Sequence, residues 1–342
     1  MRKVLGIGLV LALLIYVLPV ICARIETEAP LSIPQDKVSA DAEIVPETQM
    51  DSEKKAQEIP SSGRITVLIN GEVREMGLED YVAGVVAGEI SPDFPAEAIR
   101  AQAVAARTYA LYKQKAGRPA QHEAADVCDE PSHCAAYVDL AAQASARWGE
   151  EADTYTSVIE QAVRDTAGEV LTYEGAPIIA VFSSAAGEKT ERAADVWGSD
   201  LPYLQSVASP GGEDCPKYHG SVTLSADEVR ERAAKTFPSA DLSGEPSSWF
   251  RASQRSEAGG IITVQFGGVQ VQGTALRTML GLNSTNFTVS AADNQLTFTT
   301  VGYGHGVGLS QWGARKMAEE GKSWQQILAH YYPGTEITKI EV

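Results

Sequence analysis

The sequence predicts a domain of the α+β class, in which helices and antiparallel strands are mixed, behind an N-terminal transmembrane helix and a disordered tether. An uncharged apolar run at residues 4–23 predicts the transmembrane helix. Residues 24–63 are rich in Glu, Asp, Pro, Ser and Lys without an apolar period, which is typical of a disordered acidic linker. From residue 64 onwards, helical periods and short alternating strands follow one another, so a packed mixed core is expected.

The apolar run is the candidate membrane anchor. About 20 residues at a rise of roughly 1.5 Å each span the hydrocarbon core of a bilayer. Arg2 and Lys3 precede the run, so the positive-inside rule places a cytoplasmic tail at residues 1–3 and the rest of the chain across the membrane. A cleaved signal peptide is the alternative, although the run is long and shows no clear Ala-x-Ala cleavage site. Lipidation at Cys22 is not expected, because Ile21 before it is bulky.

The net charge of the chain argues against some classes of binding partner. A net charge of −17 argues against nucleic acid and other polyanions. The tether contains no residue cluster that could carry chemistry. Function is therefore expected in a single domain at residues 64–342, which includes a loop-rich insertion near residues 214–260.

The first candidate site lies on a predicted helix that begins near residue 81. At about 100° per residue, Glu89 falls in the middle of an apolar stripe on this helix. The stripe consists of Tyr81, Val82, Val85 and Val86. Burial and the negative end of the helix dipole would both raise the pKa of Glu89, and a carboxyl that keeps its proton near neutrality is a general acid. The alternative is that its head group turns back to water at the helix end.

Turn signals and periodicity predict the other elements. Residues 64–70 form a strand, and Asn70-Gly71 is a hairpin signal. An Ala-rich helix runs from Pro95 to Gly117, and its Arg107 is either a substrate contact or one half of a structural ion pair. Further helices are predicted at 154–166, 221–236, 311–320 and 324–331. Further strands are predicted at 170–173, 178–182, 261–266, 269–272, 287–290 and 296–299, and the first two are expected to form a hairpin around Glu174-Gly175.

Cysteine spacing indicates a metal or a disulfide. Cys128, His133 and Cys134 form a Cys-x4-His-Cys cluster, with His122 nearby. Two thiolates and an imidazole suit zinc, whereas a Cys128–Cys134 disulfide is the alternative outside the cytoplasm. Cys215, in a Cys-x3-His pattern, could add a fourth ligand. Spacing alone leaves both alternatives open.

Glycines alternate with other residues through the loop at 303–310. Such a loop lets a ligand or another backbone approach closely, and His305 is expected to stand out there with little steric cover. A nucleotide-binding loop is not expected, since neither a Rossmann-like context nor a P-loop Lys accompanies it. The alternative is a Gly-rich turn that caps the following helix.

Several motifs occur in order along the chain. They read GVVAGE with the following FPAEAIRAQAVAARTY, FSSAAG at 182–187, DVWG at 195–198, LRTMLGLNSTNF at 276–287 and YGHGVGLSQWGA at 303–314. Together they resemble the SpoIID/LytB family, whose best-known members are peptidoglycan lytic transglycosylases. The resemblance runs from about Ile65 to the C-terminus. Two positions depart from the family pattern: Glu188 stands where a second Gly is usual, and Ala135 stands where a Gln commonly follows the second Cys.

The resemblance implies an activity and a set of site residues. Glu89 would protonate the glycosidic oxygen between MurNAc and GlcNAc in peptide-stripped glycan, and the C6 hydroxyl of the sugar would close on C1 to leave a 1,6-anhydroMurNAc end. The candidates for binding sugar hydroxyls and N-acetyl groups are Arg107, Ser184, His305 and Gln311. Some members of the sporulation branch bind zinc with the same Cys-x4-His-Cys arrangement, which favours a structural zinc. Its expected ligands are Cys128, His133 and Cys134.

The resemblance also implies a biological setting. The setting is forespore engulfment during sporulation. This chain would be a single-pass membrane protein whose catalytic domain lies between the mother-cell and forespore membranes. The expected partners are peptidoglycan glycan strands, the membrane, a sporulation amidase and a membrane scaffold protein, and a homodimer is left open.

Two other classes of function compete with the transglycosylase. A hydrolase would need a second carboxylate, for which Asp93 and Asp195 are candidates. A non-catalytic glycan-binding or amidase-enhancing wall protein, as LytB-like relatives are described, would need none.

Overall fold

The structure is a computed structural model that describes residues 63–340. The predicted cytoplasmic tail, the membrane anchor and nearly all of the tether therefore lie outside the described residues. Within residues 63–340, no helix is both long and apolar enough to cross a membrane.

Short helices and short strands alternate along this part of the chain. The α-helices are α1 (Leu78–Glu89), α2 (Ala96–Ala116), α3 (Leu140–Trp148), α4 (Ala152–Asp165), α5 (Ala193–Trp197), α6 (Ala226–Thr236), α7 (Gly273–Leu280), α8 (Gln311–Glu319) and α9 (Trp324–Tyr331). The β-strands are β1 (Arg64–Ile69), β2 (Glu72–Gly77), β3 (Val127–Cys128), β4 (Glu169–Tyr173), β5 (Ala176–Pro177), β6 (Phe182–Ser183), β7 (His219–Ser225), β8 (Phe250–Arg255), β9 (Ile261–Phe266), β10 (Val269–Gln272), β11 (Phe287–Ala292), β12 (Gln295–Val301), β13 (Leu309–Ser310) and β14 (Glu336–Lys339).

The strands form small separate sheets. Their strand orders are β2-β1-β3, β14-β4-β5, β13-β6, β10-β9-β8 and β11-β12-β7. Among the described strands, pairing is antiparallel except between β1 and β3 and between β13 and β6. This mixture of helices and mainly antiparallel strands confirms the predicted α+β class.

Two of the hairpins arise from short-range turn chemistry. Asn70-Gly71 joins β1 to β2 with φ values of 49° and 84°, and Glu174-Gly175 joins β4 to β5 with φ values of 51° and 77°. Positive φ at both central positions is the geometry of a type I′ turn, whose twist matches that of paired strands. The first hairpin is confirmed as predicted. The second forms at the predicted turn, but its returning strand is Ala176–Pro177 and the predicted strand at 178–182 is wrong, because only Phe182 of that range is in a strand and it pairs with β13.

Helix α2 is at the centre of the first hydrophobic core. It packs against α1, α4, α8, α9 and β4. Ala98, Ala101 and Ala105 of α2 are fully buried, and their small side chains let the neighbouring helices approach closely. Because α1 and α8 both lie against α2, the C-terminal end of α1 and the N-terminal end of α8 can contribute to one site.

A second hydrophobic core is formed by α6, α7 and the strands β7 to β12. The region near residues 214–260, expected to be a loop-rich insertion, contributes β7, α6 and β8 to this core. Strand β8 was not predicted, because it is a bulged edge strand whose sequence FRASQR lacks apolar alternation. Its neighbour Trp249 is nonetheless buried in the core.

The predicted helix at 221–236 is correct only in its second part. Helix α6 begins at Ala226, after a capping box in which Ser225 and Glu228 bond reciprocally to each other's backbone amides. The residues before Ser225 form β7 and pair with β12. The capping box and the alternation of HGSVTLS therefore determine where the helix begins, and the charge pattern does not extend it before Ala226.

Candidate active site

Glu89 is the last residue of α1, and its side chain is only 7% exposed. The apolar residues that share its face of the helix are Tyr81, Val82, Val85 and Val86, all of which are buried. Helix α1 ends here because Ile90 is extended, and Pro92 is incompatible with a continuing helix. The predicted burial of Glu89 is thus confirmed, and its carboxyl lies at the negative end of the helix dipole.

The two carboxyl oxygens of Glu89 have different environments. Oε1 accepts a hydrogen bond of 2.7 Å from the backbone amide of Ala136. Oε2 is buried and has no hydrogen-bond partner of ordinary geometry among the described residues. Burial raises the pKa of Glu89 from its ordinary value of 4.5 to about 7, and the Ala136 amide and the Gln311 side chain offset part of this rise. The site therefore holds a carboxyl that is protonated in part at neutral pH, with one oxygen bound by the Ala136 amide and the other without a hydrogen bond of ordinary geometry among the described residues.

Gln311 brings a further amide to this carboxyl, and Gln102 lies behind it as a partner of Gln311. Gln311, the first residue of α8, lies beside Glu89 and donates from Nε2 to Gln102 Oε1 at 3.4 Å. Gln102 is completely buried in α2, and its Nε2 has no partner among the described residues. Sequence reasoning assigned no role to Gln102. The available signal was an uncharged polar side chain among alanines on a core-facing helix.

The FSSAAG and YGHGVGLSQ motifs meet in space. Strand β6 pairs in parallel with β13, so that Ser183 lies opposite Ser310. The Trp312 amide donates to the Ser184 carbonyl at 3.0 Å, which places Ser184 beside the start of α8. Gly304 has φ of 113°, and a Cβ there would lie 2.8 Å from Ser183 Cβ, so glycine allows this close crossing of the two loops.

His305 is buried rather than standing free of cover. It is 3% exposed, its ring lies 5.0 Å from that of Trp197, and its Nδ1 accepts from the Val307 amide at 3.0 Å. The expectation of little steric cover is wrong, because α5 brings Trp197 over the glycine loop. The contacts of the DVWG motif with this loop could not be read from either motif alone.

Arg107 does not reach a cleft surface. Its side chain is fully buried, and its Nε and Nη2 bond to both carboxylate oxygens of Glu79 at 2.8 and 2.5 Å. Its Nη1 donates to the Glu169 carbonyl at 3.1 Å. The prediction that Arg107 binds substrate is corrected by this geometry, because the whole guanidinium group is directed into the core. Arg107 is instead one half of a structural ion pair with Glu79, as the alternative prediction stated.

Four potential metal ligands cluster next to the acid. Their donor atoms lie within 4.8 Å of one another, and the residues are His122, Cys128, His133 and Cys134. His122, from a short 3-10 turn, was noted in the sequence as a neighbour and joins the three predicted ligands. Cys215, the other candidate for a fourth ligand, instead lies 3.9 Å from the Ser184 hydroxyl.

This cluster fits zinc on an independent geometric test. Zn–S and Zn–N bonds of about 2.3 and 2.0–2.1 Å in a tetrahedron place S and N roughly 3.5 Å apart. Cys134 Sγ lies 3.4 Å from His122 Nε2 and 3.4 Å from His133 Nδ1, and Cys128 Sγ lies 3.5 Å from His133 Nδ1. The other ring nitrogen of His122 bonds to the Ala125 carbonyl at 2.8 Å, and metal-binding histidines are commonly oriented by such a bond. Cys128 and Cys134 are free thiols in this arrangement.

The two carboxylates that a hydrolase could use, Asp93 and Asp195, have other contacts. Asp93 is exposed and accepts a hydrogen bond of 2.8 Å from the Tyr155 hydroxyl. Asp195 lies in α5, where its charge acts on Glu191. The groups that shift the pKa of Glu89 include neither of them. Neither of these two carboxylates therefore acts on Glu89. A second buried carboxyl, Glu191, belongs to a residue whose backbone amide donates to the Gly306 carbonyl of the glycine loop at 2.9 Å.

The chain is similar to known proteins over most of its length. The sequence model of the SpoIID family, described as "Stage II sporulation protein", matches residues 70–173, which contain Glu89 and the metal-ligand cluster. The chain is 33% identical to the stage II sporulation protein D of Bacillus amyloliquefaciens over 97% of this chain and 94% of that protein. It is also 33% identical to the protein of the same name from Bacillus subtilis (strain 168), over 97% of this chain and 93% of that protein.

A more distant relative has a different name. The chain is 29% identical to a protein of Bacillus subtilis (strain 168) named "Amidase enhancer", over 75% of this chain and 40% of that protein. Since the two sporulation proteins are matched over nearly their whole lengths, their similarity extends well beyond the segment around Glu89. The chain therefore belongs to the SpoIID family of sporulation proteins.

Proposed function

We propose that this protein is a peptidoglycan lytic transglycosylase that cleaves the bond between MurNAc and GlcNAc in peptide-stripped glycan strands. The observation that carries this proposal is Glu89, a buried carboxyl with a pKa of about 7 whose Oε2 has no hydrogen-bond partner of ordinary geometry among the described residues. A carboxyl of this kind can donate a proton at neutral pH and accept it back.

One carboxyl is sufficient for this reaction. Glu89 gives its proton to the glycosidic oxygen, and the C1–O bond breaks with the electron pair leaving on the GlcNAc hydroxyl. The C6 hydroxyl of MurNAc attacks C1, and the Glu89 carboxylate accepts the proton of that hydroxyl. The product is a 1,6-anhydroMurNAc end, and Glu89 is protonated again. Since the nucleophile belongs to the substrate, its effective concentration is high and no second carboxylate has to activate water.

The neighbouring polar side chains have supporting roles in this proposal. Gln311 and Gln102 bind the N-acetyl or hydroxyl groups at the cleavage point, because Gln311 lies beside Glu89 and its amide donates to Gln102. Ser184 and His305 complete the wall formed by the paired loops. Arg107 contributes to stability only.

A structural zinc accompanies the active site in the proposal. His122, Cys128, His133 and Cys134 would hold it, and all four donors are sulfur or nitrogen, as in closed zinc sites. Burial lowers the pKa of His133 to about 4, so its imidazole is neutral and able to bind a metal at neutral pH. Cys134 is only two residues from Ala136, whose amide bonds to Glu89. The zinc would thus fix the loop that supplies this hydrogen bond and take no part in the reaction.

The setting is proposed from the names of the relatives. Two relatives are stage II sporulation proteins and one is an amidase enhancer, which supports action on the cell wall during sporulation. We infer that residues 4–23 anchor the protein and that its domain works between the mother-cell and forespore membranes. A peptide-cleaving amidase and a membrane scaffold are the proposed partners, and a homodimer is compatible with the proposal.

Product analysis tests the activity. Amidase-treated peptidoglycan is incubated with the wild type, with Glu89→Gln and with Asp93→Asn as the matched carboxylate control. Mass spectrometry should detect anhydro ends with the wild type and with Asp93→Asn, and a decrease of at least about 100-fold with Glu89→Gln. The rate should fall above about pH 7 as Glu89 loses its proton. Reducing ends, or an active Glu89→Gln protein, would contradict the transglycosylase.

A second candidate rests on the amidase-enhancer relative. A non-catalytic wall protein would bind glycan and stimulate an amidase without cutting the strand itself. In that case the wild type and Glu89→Gln would stimulate the amidase equally, and neither would produce new glycan ends.

A further inference from the structure

The end of helix α3 carries a cation and an indole whose donors are unpaired. Arg147 and Trp148 are the last two residues of α3, and the Arg147 guanidinium lies 5.9 Å from the centre of the Trp148 ring. Arg147 Nε and Trp148 Nε1 are both buried, and neither has a hydrogen-bond partner within residues 63–340. Leaving buried donors without acceptors costs stability, so this pair calls for an explanation.

A purely structural role explains only part of this arrangement. A cation in the last turn of a helix interacts favourably with the helix dipole. That interaction gives no acceptor to Arg147 Nε and none to the indole of Trp148. No carboxylate of the described residues forms an ion pair with Arg147, although the chain carries a net charge of −17. Burial without such a partner lowers the pKa of Arg147.

Contacts lead from this pair to the loop that follows Glu89. The Trp148 ring meets the Tyr155 ring edge to face at 5.7 Å. The Tyr155 hydroxyl then donates to Asp93 at 2.8 Å. Asp93 belongs to the loop between α1 and α2, which begins directly after Glu89. The pair at the end of α3 is thus joined through two contacts to the loop that follows Glu89.

A second group of aromatic residues includes Phe94, which follows Asp93 in this loop. The Phe94 and Trp312 rings lie 5.1 Å apart, and the Arg315 guanidinium lies 5.2 Å from the first ring and 4.9 Å from the second. Trp312 follows Gln311 directly in α8. The aromatic row is defined by Arg147, Trp148, Tyr155, Phe94, Trp312 and Arg315, all of which are partly exposed.

We propose that the aromatic row is an extended glycan-binding surface, in which Arg147 and Trp148 form a subsite for an N-acetylated sugar that carries a carboxylate. This inference rests on the proposed function, since it takes glycan as the substrate. The apolar face of a sugar ring packs on an aromatic ring, and the guanidinium binds a carboxylate.

The chemistry of the subsite distinguishes two forms of the glycan. MurNAc without its peptide exposes a lactyl carboxylate, whereas peptide-bearing MurNAc has a neutral amide at the same position. An unpaired Arg147 binds the carboxylate with a charge-assisted hydrogen bond, which the amide cannot provide. The subsite therefore selects strands from which an amidase has already removed the peptides.

Equilibrium binding tests the subsite without requiring cleavage. The probes are a GlcNAc-MurNAc octasaccharide with free lactyl carboxylates, the same octasaccharide with these groups methylated as esters, and the disaccharide. Arg147→Gln should weaken binding of the free-acid octasaccharide by about tenfold and leave the ester unchanged, and Arg147→Lys should restore part of the loss. Trp148→Ala should weaken binding of both octasaccharides. Lys235→Gln, which removes an exposed cation on α6, is the control, and thermal melts confirm that each variant is folded.

The outcomes separate this inference from the proposed activity. Variants that are folded and bind every probe like the wild type would overturn the subsite, and so would an Arg147→Gln protein that weakens acid and ester alike. Preferential binding of an acidic peptide through Arg147 would also overturn it. Absence of anhydro ends with the wild type would end the transglycosylase proposal, yet the binding comparison would still decide the subsite.

Discussion

Glu89 is ionised less readily in the folded protein than in an unfolded chain. Its pKa is about 7 when folded, against an ordinary value of 4.5. Between these two pH values the folded state binds more protons than the unfolded state, so the free energy of unfolding falls as the pH rises through this window. The position that suits Glu89 to act as an acid therefore reduces stability above neutral pH.

Glu89→Gln should consequently stabilise the protein in a pH-dependent way. Relative to the wild type, we expect almost no effect near pH 4 and a gain that approaches about 3 kcal/mol above pH 7, because glutamine cannot ionise. Denaturant unfolding of both proteins at pH 4, 6 and 8 measures the difference. Glu72→Gln, which changes an exposed carboxylate on β2, is the control. A difference that does not grow with pH would show that burial does not hold the proton on Glu89.

Arg107 provides a test of structural against functional importance. Its fully buried guanidinium group is bound by the carboxylate of Glu79, whose side chain is 27% exposed. Arg107→Met should lower the free energy of unfolding by roughly 3 kcal/mol, because Glu79 loses its partner and the Glu169 carbonyl loses a donor. At a temperature where the variant is folded, the KM for glycan should stay within about twofold of the wild type. A large rise in KM with unchanged stability would restore Arg107 as a substrate contact.

The segment that follows the metal-ligand cluster lies directly on helix α1. Tyr137 stacks on Tyr81 at 5.9 Å, and the Val138 amide donates to the Gly84 carbonyl at 3.0 Å. A Cβ on Gly88 would lie 2.7 Å from the Ala136 carbonyl oxygen, so only glycine allows the segment to lie this close. The same contact brings the Ala136 amide to Glu89. A disturbance of the cluster is therefore expected to reach the acid through the backbone.

Metal analysis tests this connection between the two elements. Zinc measured on the purified, unreduced domain should be about one per chain, and His122→Ala should lower it. With the Ala136 hydrogen bond weakened, the pKa of Glu89 should rise, and the alkaline limb of the rate profile should move to higher pH. His219→Ala, which alters the Cys-x3-His pattern outside the cluster, is the matched control. Blocked thiols without zinc would indicate a Cys128–Cys134 disulfide instead.

For the whole molecule, the described domain should be sufficient for activity. Its two hydrophobic cores are formed entirely by residues 65–332. A protein beginning at residue 61 should cut amidase-treated glycan with the same kcat/KM as the full chain in detergent, because the tether carries no candidate site residue. Only the full chain should sediment with membranes. Loss of activity on truncation would mean that the N-terminal segment contributes to the site.

Substrate preference is also a property of the whole protein in its setting. We expect much faster cleavage of amidase-treated peptidoglycan than of intact sacculi, since peptide removal creates the carboxylates proposed to bind Arg147. Equal initial rates on both substrates would contradict this dependence.

The sequence by itself determined the features that depend on neighbouring residues. Helical spacing placed Glu89 on an apolar stripe, and Asn70-Gly71 and Glu174-Gly175 specified the turns of their hairpins. The mixture of helical and alternating patterns predicted the α+β class, and the order of the motifs along the chain indicated the family. The local features follow because periodicity and turn conformation act over a few residues.

The tertiary structure alone decided which distant residues share a site. Gln102 and Gln311 are separated by 209 positions and meet only because α2 and α8 pack together. Arg107 turned away from the cleft because Glu79, 28 positions before it, lies where the fork can be paired inside the core. His305 was covered by Trp197 from another element. Such contacts depend on how helices and loops pack across the core, and no local pattern in the chain encodes that packing.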